Sequence, residues 1–339
     1  METKIIKIGG IEDTAEIKAA ADILKNGGIV AIPTETVYGL ASSALSDTAI
    51  AKVFTAKGRP QDNPLIVHIC DMEMLDTVAV DIPKSAYLLA EKFWPGPLTM
   101  VLKKSNNISE SVSRGLDTVA VRMPSDKIAR EIIAVSGLPL AAPSANTSGK
   151  PSPTTAQHVI DDLNGKIDAI IDSHDCTVGV ESTVISLVGE VPRLLRPGAV
   201  TAEQLREIIG DIEIDNAVLN ELKTGEKAAS PGMKYKHYAP AATVYLVEAE
   251  SGQFAEFVNT KTDAVAVCFD EDAGITVPCI SYGSCKNEIT LAQNLFKVLR
   301  DIDKRGIKNA YIHAPSKSGV GLAVYNRLIR AAAFRVIKL

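Results

Sequence analysis

The stretch IVAIPTETVYGL, residues 29–40, begins as an apolar run and leads without a break into a polar loop. Its first four residues are apolar and mostly β-branched, which predicts a buried strand. A helix is predicted just before them, because residues 13–16 supply an acidic first turn and Gly27-Gly28 ends the helical pattern. Strands and helices keep alternating through the first 200 residues, which indicates an α/β domain.

Other short apolar runs predict further strands of one central sheet. These runs cover residues 65–69, 98–103, 118–122, 140–142, 169–172 and 182–187. Helices are predicted from Asp47 to Lys57 and from Pro83 to Trp94, where glycine or proline marks an end of the helical pattern. The helices are unevenly spaced between the strands, which favours a mixed sheet over a strictly parallel one.

The chain length of 339 residues fits two domains of roughly 100–200 residues each. Residues 243–339 restart the alternation and predict a smaller, Rossmann-like α/β domain. We therefore expect a first domain over residues 1–210, a linker over 211–241 and a C-terminal domain over 242–339. The second half of the linker, SPGMKYKHYAP (residues 230–240), is rich in aromatic and basic residues, which favours a docked segment over a merely flexible one.

Composition and charge argue against several classes of protein. Hydrophobic residues make up 46% and charged residues 23% of the chain, which is typical of globular proteins and not of disordered or fibrous ones. The 36 basic and 41 acidic side chains give a net charge of −5, which does not support a dedicated nucleic-acid binder. No apolar run approaches the roughly 18 residues of a membrane span, so a cytoplasmic protein without a membrane partner is expected. The five cysteines form no C-x-x-C pair and the five histidines no H-E-x-x-H motif, so neither a disulfide framework nor a metal site is predicted.

Four short polar segments interrupt the hydrophobic pattern of the first domain. They are residues 33–36, 57–60, 143–149 and 179–183. Three of them lie at predicted strand boundaries, where ligands bind in open α/β sheets. Polar loops are also common at strand ends without a ligand, so each segment alone leaves both interpretations open.

Individual residues in two of these segments, and one glycine pair near the C-terminus, carry the same ambiguity. Lys57 and Arg59 are either solvated cations at a helix C-terminus or an anion clamp. Ser144 and Asn146 either form an ordinary turn or let the backbone approach an anion. The sequence Gly319-Val320-Gly321, before a predicted helix, either makes a turn or binds an anion at the helix N-terminus.

A series of motifs, taken in order, carries a family resemblance. The motifs are PTETVYGL (33–40), KGRP (57–60), NPL (63–65), WPGPLT (94–99), TVAVRMP (118–124), APSAN (142–146), EST (181–183), LRPG (195–198) and SPGMKYKHYAP (230–240). This series resembles the YrdC-type family, and the whole chain resembles its two-domain form, the threonylcarbamoyl-AMP synthases. The match is dense over residues 1–210, and the C-terminal domain matches mainly by length and layout. The resemblance implies a YrdC-like twisted mixed sheet with flanking helices as the catalytic domain, and a linker that folds over the active site.

The resemblance also implies a reaction and its partners. L-threonine, bicarbonate or CO2, and ATP would give L-threonylcarbamoyl-AMP, pyrophosphate and water, with Mg²⁺ accompanying ATP. The product would pass to a separate tRNA threonylcarbamoyl-transferase machinery, which modifies an adenosine next to the anticodon. Stable nucleic-acid binding by this chain is not expected.

The site residues that the resemblance implies fall into two sets. The set implied for L-threonine is Thr34, Ile66, His68, Arg122, Ala142 and Ser182. The set implied for ATP is Lys57, Arg59, Gln61, Thr118, Ser144, Asn146, Ser152 and Arg196, with Lys234 and Tyr235 from the linker. Lys57 and Arg59 would be the catalytic pair nearest the phosphates, and Arg122 would hold the threonine carboxylate through bidentate pairing. No covalent nucleophile is expected.

Three other interpretations stay open. A YrdC-like surface could bind RNA directly, although the acidic net charge and the lack of aromatic–basic interleaving in the first domain argue against it. A carbamoyltransferase of the hydrogenase-maturation type contains a similar domain, together with zinc-finger cysteines that this chain lacks. The third is a regulatory or structural protein with a decayed site, and the joint presence of Lys57, Arg59, Ser144, Asn146 and Arg196 argues against decay.

Overall fold

A computed structural model gives the fold of residues 2–59, 63–220 and 238–339. Its helices are α1 (Thr14–Lys25), α2 (Asp47–Lys57), α3 (Met72–Val78), α4 (Lys84–Phe93), α5 (Glu110–Ser113), α6 (Lys127–Ser136), α7 (Ala156–Leu163), α8 (Ala202–Ile209), α9 (Ser251–Asn259), α10 (Glu288–Lys304) and α11 (Gly319–Ala331). Its strands are β1 (Lys4–Lys7), β2 (Val30–Ile32), β3 (Gly39–Ser43), β4 (Ile66–His68), β5 (Ala79–Val80), β6 (Leu98–Lys104), β7 (Thr118–Arg122), β8 (Leu140–Ala141), β9 (Ala169–Asp172), β10 (Thr183–Ser186), β11 (Arg193–Arg196), β12 (Glu213–Ile214), β13 (Thr243–Glu248), β14 (Ala264–Cys268), β15 (Cys279–Ser281), β16 (Asn309–His313) and β17 (Val336–Lys338).

The first domain is built on a mixed sheet that has twelve strands within the described ranges. The strand order is β1-β9-β2-β3-β8-β4-β7-β6-β10-β11-β12, and β5 pairs with β6. Parallel pairs such as β4–β7 occur beside antiparallel pairs such as β6–β7, so the predicted mixed sheet is confirmed. Helices cover the sheet: Ile17 of α1 and Ile132 of α6 share one buried cluster with Ile32 of β2, and Leu89 of α4 belongs to another with Met100 of β6.

Helix α2 shows how local sequence positions a later functional element. Ser46 begins the helix, because its hydroxyl accepts a hydrogen bond from the Ala49 N–H. Gly58 ends it in the left-handed region, with φ of 58°, a conformation that favours glycine. The turn therefore places Lys57 inside the last helical turn and Arg59 just beyond it.

The second domain contains a smaller sheet in which all the described strands run parallel. Its order is β15-β14-β16-β13-β17, and helices α9, α10 and α11 connect or cover these strands. The predicted small α/β layout is confirmed. Numbered within the domain, the strand order is 3-2-4-1-5, which differs from the 3-2-1-4-5 arrangement of dinucleotide-binding folds.

Most predicted elements of the first domain are confirmed to within two residues, and several observed elements were missed. The runs predicted as strands correspond to β2, β4, β6, β7, β8, β9 and β10, and the predicted helices correspond to α1, α2 and α4. The prediction missed strands β1, β3, β5 and β11, and helices α3, α5, α6 and α7. Within the predicted linker, residues 213–214 form β12 on the edge of the first sheet and residues 216–218 form a 3₁₀ turn. Residues 221–237 lie outside the described residues.

The two domains share a hydrophobic cluster. Val37 and Val180 of the first domain belong to the same buried cluster as Tyr238, Leu295 and Phe296. The rings of Tyr238 and Phe296 lie 5.3 Å apart. The C-terminal domain thus packs directly behind two of the polar segments of the first domain, residues 33–36 and 179–183.

Candidate active site

A cleft gathers residues from all four polar segments. Its lining residues include Thr34, Thr36, Val37, Gly39, Lys57, Arg59, Pro64, Leu65, Ile66, His68, Arg122, Ala142, Pro143, Ser144, Asn146, Ser148, Gly149, Lys150, Ser152, Glu181, Ser182, Arg196 and Tyr238. Among the described lining residues, five cationic side chains face one carboxylate, so the cleft suits an anionic ligand.

Strands β4 and β7 form the floor of the cleft. Successive side chains of a strand point to opposite faces, so Ile66 and His68 share the cleft face while Val67 lies in the core on the other face. The strand register pairs His68 with Arg122, which brings the guanidinium to the same face. Burial, and secondly the positive charge of Arg122, lowers the pKa of His68 to about 3, so this imidazole is neutral near pH 7.

Three contacts hold Arg122 in place. Its Nε donates to the Gly96 carbonyl at 3.2 Å and its Nη1 to the Thr36 hydroxyl at 2.8 Å. Its Nη2 lies 2.7 Å from a carboxylate oxygen of Glu35, and both side chains are buried. Burial opposes the ionisation of Glu35, but the charge of Arg122, its hydrogen bond and two backbone hydrogen bonds together hold the pKa of Glu35 below its usual value. The guanidinium is therefore fixed in orientation before any ligand binds.

Thr34 folds the loop between β2 and β3 back on itself. Its hydroxyl donates to the Val37 carbonyl at 2.6 Å and lies 2.9 Å from the Thr36 hydroxyl. The Thr36 hydroxyl in turn accepts from Arg122. A hydrogen-bonded chain thus links the first polar segment to the floor of the cleft.

Lys57 is buried, with 1% of its surface exposed, and it ties helix α2 to the loop after β8. Its Nζ donates to the backbone carbonyls of Ser144 and Asn146, the latter at 2.6 Å. Burial, with added repulsion from Arg59, lowers the pKa of Lys57 well below its ordinary value. The interpretation of Lys57 as a solvated surface cation is therefore wrong. The half-buried Arg59 also lines the cleft.

Arg196 and Ser182 form a second fixed group. Arg196 donates from Nε to the Ser182 carbonyl at 3.0 Å and from Nη2 to the Ser182 hydroxyl at 3.1 Å. The same hydroxyl lies 2.7 Å from the hydroxyl of Thr99. Burial, and then repulsion from Arg327, lowers the pKa of Arg196 to about 10.

Glu181 connects this group to the second domain. One of its carboxylate oxygens accepts from the Ser152 hydroxyl at 2.5 Å, and the other lies 3.0 Å from Nε of Arg327 in α11. Burial opposes ionisation of Glu181, but the charges of Arg327 and Arg196, together with hydrogen bonds from Ser152 and the backbone, lower the pKa of its carboxyl. Glu181 is therefore an ionised acceptor held between two domains.

The structure brings most of the sequence-predicted site residues together. Twelve of them line the cleft: Thr34, Lys57, Arg59, Ile66, His68, Arg122, Ala142, Ser144, Asn146, Ser152, Ser182 and Arg196. Thr118 does not line it; this residue begins β7, at the other end of the strand from Arg122, and lies beside Lys103 of β6. Gln61, Lys234 and Tyr235 lie outside the described residues.

The anion site considered for residues 319–321 is occupied by a carboxylate of the chain itself. The carboxylate of Glu288 accepts from the backbone N–H of Gly321 at 2.7 Å and from the hydroxyl of Ser316 at 2.5 Å. A side-chain carboxylate therefore already occupies the N-terminus of α11.

Sequence reasoning missed several residues of the site. Glu35, Thr36 and Glu181 lie within the quoted motifs, but nothing in a single sequence shows that Glu35 pairs with Arg122. Tyr238 lies in the quoted linker motif, and its aromatic neighbours were the only signal that it docks.

In the described part of the chain, no group of three or more His, Cys, Asp or Glu side chains could hold a metal ion. No helix of that part is long and apolar enough to cross a membrane.

Comparisons with known proteins match both domains. Residues 22–198 match a family model described as "Telomere recombination", of the Sua5, YciO and YrdC type. Residues 200–333 match a model described as "Threonylcarbamoyl-AMP synthase, C-terminal domain". The chain is 45% identical to a threonylcarbamoyl-AMP synthase of Pyrococcus abyssi, with 99% of each chain covered. It is 42% identical to one of Bacillus subtilis, with 95% of this chain and 94% of the relative covered.

A solved structure gives the same result in three dimensions. The crystal structure of P. abyssi Sua5 complexed with L-threonine superposes with a TM-score of 0.91 at 43% identity. The superposition covers 99% of this chain and 100% of the other. The similarity therefore extends over both domains and includes the cleft.

Proposed function

Because the chain belongs to the family of two-domain threonylcarbamoyl-AMP synthases, we propose that it joins L-threonine, bicarbonate or CO2, and ATP into L-threonylcarbamoyl-AMP. Pyrophosphate is released, and water is released as well when bicarbonate supplies the carbon. The observation that carries this proposal is the convergence in one cationic cleft of twelve residues that the family resemblance implies for the site. The product passes to a separate machinery that transfers the threonylcarbamoyl group to tRNA. This role assigns the protein to the cytoplasm.

Threonine binds over the floor of the cleft in this proposal. Arg122 donates to its carboxylate, and Glu35 balances the guanidinium charge, so the carboxylate gains directed hydrogen bonds from a group already held in orientation. Thr34 and Ser182 offer hydroxyls to the polar groups of the amino acid, while Ile66, His68 and Ala142 shape the pocket. The neutral His68 adds no second positive charge beside Arg122.

ATP binds along the remaining cationic wall. Lys57 and Arg59 lie nearest the phosphates, and Ser144, Ser152 and Arg196 surround the nucleotide. The Oδ1 atom of Asn146 is buried and has no hydrogen-bond partner among the described residues, whereas its amide nitrogen donates to two backbone carbonyls. Asn146 is therefore a fixed acceptor for a donor group of the nucleotide. Roles for Gln61, Thr118, Lys234 and Tyr235 stay predictions.

The reaction requires the protein to position the substrates and to neutralise the charge that develops. Threonine carbamate is a labile anion, so it must form beside its electrophile and away from bulk water. A carbamate oxygen then attacks the α-phosphorus, the bond to the β,γ-diphosphate breaks, and pyrophosphate leaves. The cations of the cleft stabilise the charge that develops on the phosphate oxygens.

Magnesium accompanies ATP in this proposal and is carried by phosphate oxygens and water. The carboxylates fit this assignment, because Glu181 at the cleft and Glu35 beside Arg122 are each already engaged by a buried arginine. Mg²⁺ supplies charge neutralisation of the leaving pyrophosphate when it is bound.

One experiment tests the function directly. The full chain is incubated with magnesium-ATP, bicarbonate and L-threonine, and pyrophosphate is measured while each component is omitted in turn and serine replaces threonine. Pyrophosphate release that needs all three substrates is the expected result. Release that is independent of threonine would overturn the proposal.

Variants of α2 test the proposed phosphate clamp. Lys57→Ala or Arg59→Ala is expected to lower turnover by about 10²-fold or more, because each removes a preorganised cation from the developing charge. Lys52→Ala is the matched control, because Lys52 lies on the same helix, is exposed and donates to the Gly27 carbonyl at 2.7 Å. Turnover like that of the wild type in either clamp variant would refute the assignment.

A further inference from the structure

Two buried arginines of the C-terminal domain reach the wall of the cleft. Arg327, from α11, is fully buried, and Arg300, from α10, is 7% exposed. Neither lines the cleft itself. Apart from Asp162, which binds Arg300, their partners in the first domain line the cleft or are the immediate neighbours of lining residues.

Arg327 holds the segment around Glu181 at several points. Its Nε lies 3.0 Å from the Glu181 carboxylate and its Nη2 donates to the Glu181 backbone carbonyl at 3.1 Å. Its Nη1 donates to the carbonyl of Pro197, the residue after Arg196. The planar fork of one guanidinium thus fixes two chain segments that carry predicted binding residues, since Ser182 follows Glu181 directly.

Ser152 is held from both sides by the same domain. Its hydroxyl donates to Glu181 at 2.5 Å, and Glu181 is oriented by Arg327. The carbonyl of the preceding residue, Pro151, accepts from Nη2 of Arg300 at 2.6 Å. Arg300 is anchored in turn by Asp162, at 2.9 Å. A shift of either arginine therefore moves the predicted nucleotide-binding serine.

We propose that Arg327 is a positioning residue of the synthase reaction, through which the C-terminal domain sets the geometry of Glu181, Ser152 and Ser182. The inference rests on the proposed function for the identity of the reaction, and it gives the C-terminal domain a defined task in it. Arg327 acts through Glu181 and touches no substrate. Arg300 supports the same wall at Pro151.

The expected effect of losing this contact follows from the demands of positioning. A misplacement of about 1 Å of a group that orients a substrate can lower a rate by roughly 10²-fold. Arg327→Met is therefore expected to lower kcat/KM for ATP by about 10²-fold. Arg327→Lys keeps the charge but not the fork, so it is expected to recover only part of that loss.

The test uses the full chain and two readouts. The first is pyrophosphate release with magnesium-ATP, bicarbonate and threonine, for the wild type, Arg327→Met, Arg327→Lys, Glu181→Gln and the double variant Arg327→Met/Glu181→Gln. If Arg327 acts through Glu181, the double variant is no slower than the slower of the two single variants. Gln293→Ala is the control, because it removes another hydrogen bond between the domains, to the Thr177 carbonyl at 2.7 Å, and Gln293 does not line the cleft. Its kcat/KM is expected to equal that of the wild type.

The second readout is amide hydrogen exchange of peptides covering residues 147–155 and 179–185 in the free protein. Faster exchange of both peptides in Arg327→Met, with wild-type exchange in Gln293→Ala, is the expected result. This readout needs no turnover, so failure of the wild type to release pyrophosphate would reject the proposed function while exchange still decides the role of Arg327. If Arg327→Met does not fold, Arg327→Lys decides it by the same two measurements. A folded variant with unchanged exchange and kcat/KM within twofold of the wild type would overturn the proposal, as would additive effects of the Arg327 and Glu181 changes.

Discussion

Lowering the pH from 7 to 5 is expected to destabilise the first domain through His68. This imidazole is 3% exposed, on the floor of the cleft. Burial, and then the charge of Arg122, brings its pKa to about 3 in the folded protein, against roughly 6.5 for a histidine in an unfolded chain. The unfolded state therefore binds the proton more readily, and stability is complete only above about pH 6.5. It falls as the pH drops from there toward 3.

The size of the effect follows from proton linkage. With pKa values of about 3 folded and roughly 6.5 unfolded, a single histidine lowers the free energy of unfolding by about 2 kcal/mol between pH 7 and pH 5. His68→Gln removes the titration while keeping a polar side chain of similar reach. The variant should therefore lose about 2 kcal/mol less than the wild type over the same pH interval.

Urea unfolding followed by tryptophan fluorescence measures this difference. Trp94 is the only tryptophan of the chain and belongs to the buried cluster beneath the first sheet, so it reports on the domain that contains His68. Between pH 7.5 and 8.5 the stabilities of the wild type and His68→Gln should run in parallel, which serves as an internal control. Parallel curves down to pH 5 would refute the reasoning, because they would show that His68 does not carry a depressed pKa.

Two further substitutions are expected to change stability through individual contacts of the first domain. Glu35→Gln removes the partner of a buried Arg122 and is expected to cost about 3–5 kcal/mol of stability and to raise the KM for threonine. Asp81→Asn, which breaks an exposed ion pair, is the control and should cost under about 1 kcal/mol in the same urea titration. Equal costs for the two variants would contradict the argument. Gly198→Ala would place a Cβ 2.3 Å from the backbone nitrogen of Thr183, so the chain must shift, at an expected cost of about 1–3 kcal/mol. A thermal unfolding midpoint unchanged from that of the wild type would show that this close approach is relieved elsewhere.

The fold could be predicted where the local pattern and the tertiary environment agree. The β-branched run at residues 118–122 is buried on both faces, and its strand was predicted with the observed bounds. Strand β3, with the sequence GLASS, was missed because its small residues have weak strand propensity and are held by pairing with β2 and β8. Strand β1, KIIK, lies at an edge of the sheet and is mostly exposed, so it lacks a buried pattern. Helix α6 was missed despite a clear apolar stripe at Ile128, Ile132 and Ile133.

The site could be predicted residue by residue, but not as an arrangement. The family's motifs named the residues, and the fold shows which of them meet, such as Lys57 and Asn146, which are 89 positions apart. The contribution of Arg327 had no signal in the sequence, since it lies 146 positions from Glu181 in a helix whose pattern is dominated by apolar residues. Contacts of that separation are set by how the domains dock, and no local rule describes docking.

The electrostatics of the free cleft favour its proposed substrates. Burial works against the charged forms of Lys57 and Arg196, and each also feels repulsion from a neighbouring arginine, so both have lowered pKa values. A single carboxylate, Glu181, lines the cleft among the described residues, and it is shared between Arg327 and Ser152. Bound phosphates would supply the missing negative charge, and the relief of repulsion adds to the binding of ATP in a way that a neutral ligand cannot match. The buried cations that repel one another therefore destabilise the free cleft, and the same cations make it selective for a polyanion beside an amino-acid carboxylate.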